Sequence, residues 1–191
     1  GTTAAGTTIS AGGTLDLNGY TLGTAEALTI NGYGVGNNGA LINSSSTTAA
    51  TYSGAITVGS ASYIGGAGTM TLSGAVGAAS YGVAFIGAGS YTVTNASNTF
   101  STIATSGIGS LSIKNNQALS IGTVNTITGM TFTGDAMIDN TGTITARIRA
   151  RAARSATPPW SATIARRSMR WRRRSEHCRR PAASGEQARR T

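Results

Sequence analysis

Asp135 and Asp139 are the one close pair of acids in the first 146 residues of this 191-residue chain. They are four positions apart, and in an uninterrupted strand an even spacing turns both side chains to the same face. A carboxylate pair is what a glycosidase needs for acid–base work, and with Asn140 the same residues offer oxygen ligands for a weak cation site. They serve equally well as solvated carboxylates on a turn or surface. Asp16 and Glu26 are the only other acids before Arg147, too few for a calcium-binding nonapeptide repeat. A hydrolytic triad cannot be assembled here, because the first 146 residues contain no His or Cys to act as base or nucleophile. His177 and Cys178 stand side by side late in the chain, which is not metal-ligand spacing, and a single cysteine makes no disulfide within the chain. The sequence therefore assigns no catalytic, cofactor-binding or metal-ligating residue.

Hydroxyl groups are the other chemical signal. Thr69/Thr71, Thr92/Thr94, Thr131/Thr133 and Thr141/Thr143/Thr145 occupy alternate positions. Ordered threonine rows on a flat face can bind ice if they cross at least four coils, but Ser110, Ser112 and Lys114 take the equivalent places after Gly109 and interrupt the row. Such threonines also serve as the β-favouring polar side of a strand. Gly34-Val35-Gly36 and Gly87-Ala88-Gly89 lack the following helix that a phosphate loop requires.

The elements that carry these residues are legible from a glycine-led phrase. Gly68-Thr69-Met70-Thr71-Leu72-Ser73-Gly74 returns as Gly89-Ser90-Tyr91-Thr92-Val93-Thr94-Asn95 and as Gly109-Ser110-Leu111-Ser112-Ile113-Lys114-Asn115, with a degraded copy starting at Gly129. Large side chains alternate with small hydroxyl residues, the period of a strand with one buried face. A strand repeated about every 20 residues means stacked coils. Nearer the amino terminus a shorter echo links Leu15 to Leu28 and Leu41 at steps of 13. Further short strands are expected at Ala55 to Val58, Gly82 to Ile86, Leu119 to Val124 and Met137 to Asp139, with turns at Gly34 to Gly39 and Ser44 to Ser46. Asn18-Gly19 and Asn31-Gly32 would suit two-residue hairpins of an antiparallel sheet, but a meander does not require equivalent strands at constant spacing. The expected fold is all-β, a parallel β-solenoid of about seven coils stacked at ~4.8 Å, hence a rod on the order of 35 Å long. Leu72, Val93 and Ile113 should form one interior column, with Asn43, Asn95 and Asn115 stacked at corners and bonding backbone groups that the turns leave unpaired.

Composition divides the chain at about Ala146. The whole carries +9, but residues 1–146 hold one Lys against four acids, while residues 147–191 hold fourteen Arg and two Glu. The first part, long enough for one domain, has all six Tyr and all three Phe, and no Pro or Trp. Its neutral Thr, Ser and Asn surface suits a secreted rod. The second part is expected to be disordered or weakly helical, since Trp160, Ile164 and Trp171 make too thin an apolar strip to hold a fold. Three readings of it stand open: a basic arm for nucleic acid or anionic lipid, a linker, or a non-native end from GC-rich DNA read out of frame. No run of 18 apolar residues exists to span a membrane as a helix. A chain that opens at Gly1 inside a running pattern, with no signal peptide, reads as a piece of a longer parent.

Asn98-Thr99-Phe100-Ser101-Thr102-Ile103-Ala104, Gly109-Ser110-Leu111-Ser112-Ile113 and Asn115-Asn116-Gln117-Ala118-Leu119-Ser120-Ile121-Gly122 resemble the repeats of filamentous haemagglutinin-like exoproteins of Gram-negative bacteria. Leu28-Thr29-Ile30-Asn31-Gly32-Tyr33-Gly34 and Gly39-Ala40-Leu41-Ile42-Asn43-Ser44 are similar to coils of autotransporter passenger domains. The resemblance covers roughly Thr8 to Thr145. It implies a right-handed β-helix that is secreted or displayed at the outer membrane, and a non-enzymatic role as a stalk or contact surface for adhesion. The implied partner is a glycan or protein on a host or neighbouring cell, with no specific nucleic acid and no cofactor. A fragment of a carbohydrate-active β-helix enzyme and an ice-binding solenoid are the alternatives.

Overall fold

The computed structural model describes residues 5–22 and 24–146. The expectations for residues 147–191, including the basic arm and the His177-Cys178 pair, lie outside the described residues. Within them the chain is all-β, a parallel solenoid of about seven turns with about 21 residues per turn. Each coil contributes strands to three faces. The first face carries Thr7–Ile9, Leu28–Gly32, the leading halves of Ile56–Gly66 and Val76–Ile86, then Thr99–Ser106, Leu119–Ile121 and Ile144–Ala146. The long strands bend around a corner and run on into the second face, where Leu15–Asp16 and Leu41–Asn43 also lie. One nine-stranded sheet thus wraps two faces, with irregular register at the bends between Thr57 and Ser62 and between Phe100 and Thr102. A separate five-stranded sheet forms the third face from Ala50–Tyr52, Met70–Leu72, Tyr91–Val93, Leu111–Asn115 and Ala136–Asn140.

The alternation read in the sequence becomes a core of stacked columns. On the third face Ala50 pairs with Met70, Met70 with Tyr91, and Tyr91 with Leu111. One step on, Tyr52 pairs with Leu72 and Val93 with Ile113, and the match of Thr71 to Thr92 sets Leu72 beside Val93. Leu72, Val93 and Ile113 do occupy one interior column, each 1% exposed or less. On the second face Leu15, Leu41, Ile64 and Phe85 follow one another in register. Phe85 packs its ring 5.3 Å from Tyr91 and 6.3 Å from Phe100, joining all three faces at mid-rod. Tilted aromatic pairs at such distances contribute about 0.5–1.5 kcal/mol beyond their buried area.

The glycine at the head of each phrase has a steric cause. At the corner between the second and third faces the backbone passes over the coil before it so closely that a side chain on Gly68 would run into the Ser45 carbonyl, and one on Gly89 into the Gly68 carbonyl. Only glycine lets strands stack with such a sharp corner. Gly87-Ala88-Gly89 is one of these corners, and Gly34-Val35-Gly36 begins a 3₁₀ turn, Val35–Asn37, between the first two faces.

Three details of the sequence reading are corrected. The 13-residue echo is not a coil: Leu15 pairs with Leu41, 26 residues on, while Leu28 belongs to another face and pairs with Ile56. Each echo is about half a turn, so successive copies alternate between the second and first faces. The degraded copy at Gly129 does not continue the third face. Thr131 bonds to Thr105 and Phe132 bridges Ile108 on the second face, and the third-face successor of Leu111 is Ala136, 25 residues later. The extra length is a two-stranded antiparallel hairpin, Thr123–Val124 with Ile127–Thr128. Finally, the asparagines occupy two different corners. Asn43 lies between the second and third faces, whereas Asn95 and Asn115 lie beyond the third.

Candidate functional surfaces

The side chains between the core columns point outward and build the surfaces. On the third face the central outward row runs Thr51, Thr71, Thr92, Ser112 in register, and a bridge from Thr21 to Thr51 extends it by a coil. Flanking rows follow from the same register: Thr69, Ser90 and Ser110 on one side, Ser73, Thr94 and Lys114 on the other. The result is a grid of small hydroxyls, ~4.8 Å apart between coils and ~6.6 Å along each strand. The threonine pairs do not form the double row their spacing suggested, because Thr69 aligns with Ser90 and Ser73 with Thr94. Thr131/Thr133 and Thr141/Thr143/Thr145 lie elsewhere, on the second face, its corner, and the last corner and strand of the first.

The sequence-predicted acidic pair sits at the edge of this sheet. Asp135 precedes the strand Ala136–Asn140 and Asp139 lies within it, both exposed. The Lys114 ammonium is 3.9 Å from an Asp139 carboxylate oxygen across adjacent coils, with both side chains open to water. An exposed pair of this kind is worth at most about 1 kcal/mol. Asn140 does not join the acids as a ligand. It accepts from Asn115 Nδ2 at 2.8 Å and donates to the Gly142 carbonyl. Among the described residues no group of three or more His, Cys, Asp or Glu is placed to hold a metal.

Asparagines close the corners by replacing backbone partners. Asn115 accepts from the Phe100 N–H at 2.7 Å and donates to the carbonyls of Phe100 and Gln117. Asn43 accepts from Gly19 N–H and donates to the carbonyls of Thr48 and Thr69. Asn98, which the corner argument did not include, is fully buried; it accepts from Val76 N–H and donates to the carbonyls of Val93 and Lys114. Asn95 is only partly buried and bonds the Ser73 carbonyl. Every buried side-chain polar atom among the described residues has a hydrogen-bond partner.

The hairpin was missed, and it adds a second layer to the outer wall. It folds back across the outside of the second face, where Tyr63, Ala84, Ala104 and Val124 form a second small core. Asn125 donates to the Tyr63 hydroxyl at 3.0 Å, and Tyr63 packs against Tyr33 with ring centroids 4.6 Å apart and planes tilted by 41°. Gly82 lies beneath it, and a Cβ there would stand 2.7 Å from Val124 Cγ2. A signal was present in the chain: outward positions 84 and 104 are alanine, small enough for a second layer to approach. Where the hairpin leaves the coil it opens a cleft of ≈ 330 Å³ lined by Thr102, Ser120, Thr123, Thr128 and Thr145 around Ile121 and two glycines. Neither Asp135 nor Asp139 reaches it.

Among the described residues no helix is long and apolar enough to cross a membrane. No protein-family profile, no curated protein and no solved structure matches the chain.

Proposed function

We propose that this chain is a non-enzymatic segment of a secreted or surface-displayed bacterial adhesin, working as a rigid stalk or contact surface toward a glycan or protein on a host or neighbouring cell. The observation that supports this reading is the uninterrupted stack. One apolar core runs from Leu17 to Leu119, and each inner coil bonds to the coils on both sides, so bending the rod means shearing several parallel ladders at once. The outward rows of its third face are uncharged until Lys114 and Asp139, which suits contact with neutral polar surfaces. The test is adherence of beads coated with the purified chain to epithelial cells and to Gram-negative cells. Adherence several-fold above beads coated with an unrelated β protein is expected, and equal adherence to both cell types and the control overturns the reading.

The alignment of Thr21, Thr51, Thr71 and Thr92 favours a second reading, ice binding, because it meets the four-coil requirement before Ser112 interrupts it. Partition into slowly growing ice separates the two. A stalk is excluded from the ice, whereas an ice binder is incorporated and loses incorporation on Thr71→Lys.

A further inference from the structure

We propose that Asn95 is an acceptor for an N-linked sugar, a modification site built into the corner between the third and first faces. The chain contains two tripeptides of the form Asn-x-Ser/Thr with no proline in the middle, Asn43-Ser44-Ser45 and Asn95-Ala96-Ser97, the pattern on which asparagine-linked glycosylation occurs. In a chain this rich in Asn and Ser the tripeptide alone says little. The fold separates the two. Asn43 is fully buried, and its amide nitrogen spends both of its N–H groups, one on the Thr48 carbonyl at 2.9 Å and one on the Thr69 carbonyl at 2.8 Å. Its oxygen accepts from the Gly19 and Ser45 N–H groups. A sugar on that nitrogen would break a corner bond and would have no room to stand.

Asn95 stands in a different setting, midway along the rod. It is only partly buried, and the two residues that follow it, Ala96 and Ser97, are exposed. The turn also projects. Leu72 lies beside Val93 and Gly77 pairs with Thr99, so the stretch from Val93 to Thr99 carries one residue more than the corner of the coil before it. Among the described residues the amide nitrogen donates once, to the Ser73 carbonyl at 2.8 Å, and a primary amide has a second N–H to give. One N–H can therefore be substituted while the other keeps the corner closed. The amide oxygen accepts from the Ser97 N–H at 2.9 Å, which folds the serine back toward the asparagine. In the transfer the Asn95 nitrogen attacks C1 of a sugar diphosphate. The C1–N bond forms, the C1–O bond breaks with its electron pair leaving on the diphosphate, and the nitrogen gives its spare proton to the transferase. The product adds neutral hydroxyls beside the third face and changes no charge.

The experiment incubates the folded full chain with UDP-glucose and a soluble glycosyltransferase that accepts Asn-x-Ser/Thr, with an unrelated acceptor peptide in the same tube to show that the enzyme turns over. The intact mass should rise by one hexose, and fragmentation should place it on Asn95. Asn95→Gln and Ser97→Ala, each checked for its β circular dichroism, should lose the addition, whereas Ser45→Ala should keep it. The modified chain should retain the β circular dichroism of the unmodified one, because the bond to Ser73 survives. A folded chain left unmodified while the peptide is consumed overturns the proposal. A hexose on Asn43, or one that is lost with Ser45→Ala, also overturns it, since the fold would then not be what selects the acceptor.

Discussion

At the scale of single residues, the corners are held by amide side chains that stand in for missing strand pairing. Asn98 and Asn115 are wholly buried, and each satisfies backbone groups on either side of its turn. Removing such a side chain strands polar groups in the core, at a cost of about 1–3 kcal/mol for each unsatisfied group. Asn98→Ala and Asn115→Ala should each lower the unfolding free energy read from a denaturant titration by an amount in that range or above it, while Asn95→Ala, at a wetter corner, should cost less. Equal effects at all three positions would contradict this assignment. Tyr91 gives the residue-scale prediction in pH. Burial raises its phenol well above the usual tyrosine range, and its hydroxyl donates to the Ile86 carbonyl at 2.6 Å. The native state holds this proton more tightly than the unfolded chain does. The contribution is therefore complete below pH ~10 and is lost as pH rises through the higher native value. Tyr52 shifts the same way through burial and the nearby Glu26 charge. Phenolate absorbance from Tyr91 should appear only together with loss of β circular dichroism. Asp16 acts at the acid end. Burial disfavours its charge, but hydrogen bonds from Ser44 and Asn18 outweigh that and lower its pKa. Its small contribution is present above the ordinary aspartate range and fades as pH falls through the lowered value.

Among the described strands, the hairpin of Thr123–Thr128 is the pair not built on the coil repeat, and its attachment rests on few contacts. Val124 and Ile127 pack over Ala84 and Ala104, with Asn125 bonded to Tyr63. Two-stranded hairpins are marginal without a surface to lie on. Val124→Asp should release it, giving fast amide exchange across 123–128 and a more exposed Tyr63, while the strands of the third face stay protected. Loss of protection throughout the coils would mean that the hairpin is structurally integral. This element also marks where the sequence stopped being readable. The phrases headed by Gly68, Gly89 and Gly109 could be aligned because core packing and corner sterics recur at every coil, and that alignment is the observed register, residue for residue. The hairpin occurs once, so no repeat announces it; it displaced the fourth copy and moved Ala136 into the place expected for Met130. The wide coils near the amino terminus failed for a related reason. There the 13-residue echo was stronger than the coil, because both half-turns carry Leu at their inward positions.

The whole molecule is a one-dimensional stack, and its stability should be distributed accordingly. In such arrays each coil is held by its own contacts and by its two neighbours, so a terminal coil lacks one interface that a central coil has. The contrast is sharpened here by side-chain size. The middle coils bring together Phe85, Tyr91 and Phe100, all fully buried, whereas the first and last coils close with half-covered Ile9, Leu15, Ile138 and Ile144. Truncating Phe100 to Ala removes a large side chain from the centre and should cost about 3–5 kcal/mol. Ile138→Ala at the end should cost well under half of that, because the site is already partly wet. Hydrogen exchange at low denaturant should follow the same order, with the amides of Tyr91–Val93 and Val76–Ile86 exchanging last and those of Thr7–Ile9 and Ile144–Ala146 first.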